Sequence, residues 1–221
     1  MKIKIISVPL TVFLFSLLAL NSIEANAQTY LPVGPKTNVP VATVEAGGWT
    51  ECYRDLYNND MVASTVLSDC PGSRLMLSCR DTGSSTLTLL AQGNRSDVTF
   101  DTGSGPDLHE ANGVDWYFSS AFGSWGFVRA GDFVGKSPCD TLIIGINNER
   151  LCWHVDMDNG GWRCGATQML NNSTSFERIV YMPTPTVVTP IPTISEWGLI
   201  AMVAVLGLVG FMVIRRRKAG A

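Results

Sequence analysis

The chain has 221 residues, with 19 acidic and 16 basic side chains and a net charge of −3. Basic residues are concentrated at the two ends, which also hold Glu24 and Glu196, so residues 28–190 carry 17 acidic and 10 basic side chains and a net charge of −7. An acidic middle region is a poor match for nucleic acid or anionic lipid. We therefore expect no nucleic-acid partner.

The first 27 residues have the three parts of a secretory signal peptide. Met1–Lys4 is basic, Ile5–Leu20 is apolar, and Ala25–Ala27 is a small-residue cleavage site. Pro9 inside the apolar run argues against the alternative, an uncleaved N-terminal helix. We expect export by the secretion machinery and cleavage by signal peptidase, with Gln28 as the first residue of the mature chain.

Prolines set a central domain apart from its flanks. Residues 28–44 contain several prolines and are predicted to be an extended lead-in. Residues 182–190 are rich in Pro and Thr and are predicted to be a stiff linker. Residues 45–181 lie between these segments and are long enough for one domain with its own core.

Short β-prone segments and turn signals alternate along this central domain. The turn signals include Asp81–Gly83, Asn112–Gly113 and Asn159–Gly160. No window keeps the apolar spacing of a long helix. The pattern predicts an all-β domain, an antiparallel sandwich or barrel-like fold, with one short helix near Glu51–Asn58. The predicted strands are 74–79, 85–91, 97–100, 115–118, 126–128, 141–146, 150–155 and 178–182.

Six cysteines lie in the region predicted to be exported, where the environment is oxidising. They are Cys52, Cys70, Cys79, Cys139, Cys152 and Cys164. An even number indicates three disulfides, because the zinc alternative needs close Cys or His pairs and the chain has no C-x-x-C and two distant histidines, His109 and His154. Among the many connectivities we favour short loops: Cys70 with Cys79, Cys152 with Cys164, and the remaining Cys52 with Cys139.

The sequence Asp-Thr-Gly-Ser occurs twice, at Asp81–Ser84 and Asp101–Ser104. Aspartic proteases use it to bring together two carboxylates that share one proton and activate a water molecule. The copies are too close in sequence to belong to the two lobes of a pepsin-like enzyme, so the remaining alternative is a retropepsin-like homodimer that uses Asp101. Asp-Thr-Gly is also ordinary turn chemistry. No G-x-S-x-G, phosphate loop or dinucleotide fingerprint occurs, and we expect no enzyme.

Asp156 and Asp158 are spaced before Asn159–Gly160 like the oxygen ligands of a calcium loop. The distant Glu of an EF-hand is missing, since Thr167 stands in its place. An Asn-Gly hairpin turn is the simpler interpretation. We therefore expect no metal and no other cofactor, and calcium held by Asp156 and Asp158 is the alternative.

Aromatic residues are concentrated between Trp116 and Phe127. Exposed aromatic rings beside Asn and Asp bind sugars in many proteins, which makes Trp116 and Trp125 candidate ligand aromatics and a polysaccharide a candidate partner. Small exported domains also use Trp beside disulfides to fill a core. The alternation in this run favours core packing over ligand binding.

The last thirty residues combine a short motif, an apolar run and a basic end. Leu199 to Ile214 is 16 residues without a charge, so a helix of that length spans about 24 Å against a hydrocarbon core of about 30 Å. We predict one C-terminal transmembrane helix whose basic end stays cytoplasmic. The motif residues are Ile191, Pro192, Thr193, Ile194, Ser195, Glu196, Trp197 and Gly198, and the stop-transfer residues are Arg215, Arg216, Arg217 and Lys218.

This tail resembles the IPTL-CTERM (IPTLxxWG) protein-sorting signal of Gram-negative bacteria, with Ile194 where the family usually has Leu. The resemblance covers only residues 191–221. It implies processing by a membrane protease of the exosortase type, transient anchoring in the inner membrane, and then a place at the cell surface or outside the cell. A permanent single-span anchor is the alternative that the helix alone allows.

Together these features predict an exported cell-surface or extracellular-matrix protein whose β domain binds or builds without catalysis. The matrix role is implied by the resemblance, because proteins with such tails accompany exopolysaccharide systems. Two alternatives stay open, a glycan-binding module and an aspartic, retropepsin-like protease.

Overall fold

The computed structural model describes residues 29–143, 145–185 and 196–218. The predicted signal peptide and the motif residues 191–195 lie outside these ranges. The chain divides into one unit that ends at Pro185 and a second that starts at Thr186.

The first unit is built from strands, as the turn-separated β segments predicted. All pairings between named strands are antiparallel. The described residues form strands β1 Lys36–Pro40, β2 Trp49–Leu56, β3 Arg74–Asp81, β4 Thr86–Asn94, β5 His109–Ala111, β6 Val114–Ser119, β7 Ser124–Arg129, β8 Leu151–His154, β9 Arg163–Cys164, β10 Thr167–Gln168 and β11 Phe176–Pro183.

These strands make two sheets. Sheet A has the order β1-β4-β3-β11-β2, and sheet B has the order β10-β9-β8-β7-β6-β5. Between residues 29 and 185, the helices that the structure describes are short and lie in the connections. They are α1 Val41–Ala46, α2 Ala63–Asp69, α3 Arg95–Val98 and a 3-10 helix at Asn147–Glu149.

The main core contains side chains from both sheets. In β3, alternate residues Leu75, Leu77 and Cys79 belong to this core, whereas Met76 belongs to a cluster on the opposite face of sheet A. This is the period of two that a strand imposes on its side chains. Sheet B contributes large aromatic residues, including Trp116, and the fold is therefore a two-sheet sandwich.

The predicted turns are confirmed where they join neighbouring strands. Asp81–Gly83 links β3 to β4, with Gly83 at φ 76°. Asn112 and Gly113 link β5 to β6 with φ values of 56° and 70°. Two positive φ angles in a two-residue hairpin explain why the sequence there is Asn-Gly.

Several predicted element boundaries are wrong. The segment 51–58 begins in strand β2 and forms no helix, and the segment 97–100 begins in the short helix α3 and forms no strand. Residues 141–143 form no strand either. Within the predicted lead-in, Lys36–Pro40 pairs with β4, so the folded unit starts before residue 45. Pro40 ends this strand, which lies at the edge of sheet A, where proline is tolerated.

The predicted number of disulfides, three, is confirmed, but each of the three predicted pairings is wrong. The observed bonds are Cys52–Cys70, Cys79–Cys164 and Cys139–Cys152, with Cα–Cα distances of 5.3, 5.8 and 5.6 Å. No cysteine of the chain is free. Sequence distance misleads here because sheet packing brings Cys79 of β3 against Cys164 of β9, 85 residues away.

The second unit contains α4, which runs from Glu196 to Lys218. Its side chains from Ile200 to Arg216 are exposed, and Arg215 and Arg216 follow its apolar part. Across the part of the chain that the structure describes, no helix combines the length and the apolar character needed to cross a membrane.

We expect the bond between the sheets to stabilise the domain most. Replacing Cys79 and Cys164 by Ala should lower the free energy of unfolding by about 4–5 kcal/mol, because the bond closes a loop of 85 residues. The matched control, Cys139→Ala with Cys152→Ala, opens a loop of 13 residues and should cost about 3 kcal/mol. Urea unfolding of both double variants measures the difference. A larger loss in the control would contradict this ranking.

Candidate functional site

A pocket of about 350 Å³ opens where the β6–β7 turn meets three loops of sheet B. We call it the loop pocket. Its walls combine three apolar residues with hydroxyl groups and one amine, which is the mixture typical of small-molecule sites. The lining residues are Gly103, Ser104, Phe122, Ser124, Lys136, Ser137, Pro138 and Met157.

Phe122 and Met157 form the apolar wall, and both are unusually exposed for their type, at 49% and 40%. Phe122 lies in the turn after β6, and Gly123 follows it at φ 67°. A Cβ at Gly123 would come within 2.3 Å of the Met157 sulfur, so the turn needs glycine to pack against this loop. The N–H of Val155 also donates to the Gly123 carbonyl at 3.1 Å.

Asp156 holds the two halves of this wall together. One carboxylate oxygen accepts from the Ala63 N–H at 3.0 Å, at the start of α2, and the other accepts from the Ser120 hydroxyl in the turn that carries Phe122. Asp158 is exposed. The described residues contain no group of three or more His, Cys, Asp or Glu placed to hold a metal. Calcium binding by Asp156 and Asp158 stays a prediction.

Lys136 forms the opposite side of the pocket by fixing the second Asp-Thr-Gly loop. Its amine donates to the Thr102 hydroxyl at 3.0 Å, the Gly103 carbonyl at 3.3 Å and the Asp107 carbonyl at 3.1 Å. Partial burial lowers the pKa of Lys136, and the carboxylates of Asp107 and Asp101 oppose this shift. The amine can donate three hydrogen bonds, and three protein oxygens accept them, so its hydrogen-bonding capacity is already used.

The two Asp-Thr-Gly copies lie in different sheets. Asp81 ends β3 of sheet A, whereas Asp101 forms a bridge with Phe118 of sheet B. Asp101 is exposed, and its carboxylate accepts from the Gly103 N–H at 2.9 Å. Both copies therefore have the geometry of turns, with the Asp capping its own loop in the second. The absence of enzymatic activity stays a prediction.

The candidate ligand aromatics are placed inside the core. Trp116 and Trp125 are 0% exposed, as the favoured interpretation of core packing predicts, and neither can stack on a ligand as the alternative required. The indole of Trp125 donates to the Val98 carbonyl at 3.0 Å. Both residues lie on the face of sheet B that points to sheet A. The aromatic residue that the pocket exposes is Phe122, whose place in a turn before a glycine was the available signal.

Buried charges anchor the loop that carries Lys136, Ser137 and Pro138. Asp140 is fully buried and accepts from Arg150 at 2.8 Å and Arg163 at 3.3 Å, and both guanidinium groups are buried as well. The neighbouring Cys139 is bonded to Cys152 of β8. One covalent bond and one ionic cluster thus fix this side of the pocket to sheet B.

The two histidines lie apart from the loop pocket lining. His154 in β8 is buried, which lowers its pKa, and the charge of Arg178 lowers the pKa further. His109 contacts Asp97 at 3.0 Å and stacks on Phe100 with ring centroids 4.4 Å apart. The contacts of His109 explain its position, whereas the buried Nδ1 of His154 has no hydrogen-bond partner within the described residues.

Residues 189–218 match the family model of the IPTL-CTERM motif. The predicted C-terminal sorting signal is confirmed. A motif of this kind suggests an exported protein with a sorting signal and implies processing by an exosortase-type enzyme. No curated protein and no solved structure matches the chain.

Removing the buried carboxylate of Asp140 should destabilise sheet B and the loop attached to it. We expect Asp140→Asn to lower the free energy of unfolding by about 3–5 kcal/mol, because Arg150 and Arg163 lose their buried counter-charge. Asp158→Asn, at an exposed position, is the matched control and should change stability by less than about 0.5 kcal/mol. Chemical denaturation measures both, and equal effects would disprove the role of the buried cluster.

Proposed function

We propose that the chain is an exported protein whose β domain acts at the cell surface or in the extracellular matrix as a non-catalytic binding or structural module. The observation that carries the proposal is the IPTL-CTERM match at residues 189–218. The disulfide-bonded state of all six cysteines is consistent with an oxidising compartment.

The use of charged groups inside the domain supports a role without catalysis. Reactive side chains in enzymes are held where substrate reaches them. Here Asp140 and its arginines are buried, Asp156 ties α2 to a turn, and the Lys136 amine is occupied by three oxygens. Arg80 and Glu177 likewise form a buried ion pair within sheet A. These groups stabilise loops and sheets.

The precursor is proposed to pass through the membrane stage that its tail implies. Signal peptidase removes residues 1–27, and the apolar run from Leu199 to Ile214 with the basic residues after it then holds the chain transiently at the inner membrane. An exosortase-type enzyme then releases or transfers the domain. The predicted linker starts at residue 182, but β11 runs to Pro183, so only the residues after β11 act as a spacer between domain and cleavage motif.

Mass spectrometry of both mature termini tests this route. We expect the surface or secreted form to begin at Gln28 and to lack Arg215–Lys218. Trp197→Ala in the motif should leave the full tail on the protein, which then accumulates with membranes, whereas the control Thr186→Ala, outside the matched residues, should be processed normally. A wild-type protein that keeps its tail would instead support a permanent anchor, and an unprocessed cytoplasmic protein would refute export.

The aspartic protease alternative has a direct test. We expect the purified exported protein to show no peptide cleavage, since Asp101 caps its own loop and the second copy at Asp81 lies in the other sheet. Should cleavage be detected, Asp101→Asn and its matched control Asp81→Asn decide its origin. Activity lost only in Asp101→Asn would establish the enzyme and overturn the non-catalytic role.

A glycan-binding role is the second candidate function. One observation favours it, namely an open pocket that presents a half-exposed aromatic ring beside hydroxyl groups. The aromatic residue concerned is Phe122, because Trp116 and Trp125 are buried.

A further inference from the structure

We propose that the loop pocket binds a neutral polysaccharide, with a sugar ring stacked on Phe122 and its hydroxyl groups bonded to the serines opposite. This inference rests on the proposed role of the exported domain as a binding module. It assigns a ligand class and a site to that role.

The pocket has the right shape for a segment of a chain. Its volume of about 350 Å³ lies at the lower end of the range for small-molecule pockets. It opens at the surface between loops, so a polymer can lie across it with one unit seated inside and its neighbours in solvent.

The two kinds of wall match the two sides of a sugar ring. A pyranose has an apolar face of C–H groups and an edge of hydroxyl groups. Phe122 and Met157 offer an apolar surface that is already partly exposed to solvent, so covering it with the C–H face is favourable. Ser104 and Ser137 are exposed, and neither hydroxyl bonds to the protein within the described ranges, so both can donate to or accept from the sugar edge.

The charges select against an acidic ligand. The Lys136 amine is the cation of the pocket, and three protein oxygens already accept its hydrogen bonds. Residues 28–190 carry a net charge of −7, which repels a polyanion at low salt. A neutral glycan meets neither obstacle.

The pocket is also built in advance of binding. Asp156 joins the turn of Phe122 to α2, and Cys139 and Asp140 fix the loop of Ser137 to sheet B. A site held in this way loses little conformational entropy when a ligand arrives. The low entropy cost is important because one sugar ring stacked on one aromatic side chain is a weak contact. A polymer with many identical units raises the overall affinity by offering this contact repeatedly.

The test uses the exported protein purified from producing cells and neutral soluble polysaccharides as probes: an α-glucan, a β-glucan, a mannan and a galactan, with an acidic uronate polymer for comparison. We expect retention on at least one neutral polymer and none on the acidic one. Phe122→Ala should weaken that binding about tenfold or more, since it removes the stacked ring. Ser137→Ala should weaken it severalfold.

Phe133→Ala is the matched control, because Phe133 is 76% exposed and does not line the pocket. It should bind like wild type, and unchanged thermal unfolding should show that all three variants are folded. The inference is overturned if no neutral polymer is retained, if only the acidic polymer is retained, or if Phe122→Ala binds like wild type. If polysaccharide binding fails but the mature termini are as expected, the proposed export still holds. A protein found in the cytoplasm would refute the export itself.

Discussion

The covalent link between the two sheets is the constraint on which the domain depends. Cys79 lies in β3 of sheet A and Cys164 in the two-residue strand β9 of sheet B. Strands as short as β9 and β10 add few ladder bonds, so this edge of sheet B depends on packing and on the cross-link. The bond lies within the main apolar core, where Trp125 and Trp153 meet edge to face. Core and cross-link thus stabilise the same interface between the sheets.

Residues that suggest chemistry in the sequence organise loops in the structure. The Asp156 carboxylate joins a helix start to a turn, and the Asp101 carboxylate caps a turn of its own. Carboxylates are suited to both tasks, because backbone N–H groups at helix starts and in turns need acceptors. The pocket that results is lined mainly by uncharged groups. This lining supports the proposed binding role.

Local patterns in the sequence predict the strands and turns, but they do not predict which distant residues come into contact. The alternation of β3 and the Asn112–Gly113 hairpin are confirmed because each depends on neighbouring residues only. Cysteine pairing depends on which strands face each other across the core, so the preference for short loops failed. The alternation also favours the core position that Trp116 and Trp125 take, but it gives no information on Phe122, which lies in a turn outside the strands and remains exposed. The tail motif was recognisable because it is a short linear signal.

The position of β11 has a mechanical consequence for a tethered protein. This strand leads directly into the spacer and the tail, and it lies inside sheet A, bonded to β3 on one side and β2 on the other. A pull on the C-terminal end acts along the strand, so two rows of hydrogen bonds resist in shear and must break together. Beyond them the bond from Cys164 to Cys79 halts any further extraction. In the proposed membrane-held precursor, the domain is therefore connected to its tail through a strand that is hydrogen-bonded on both sides.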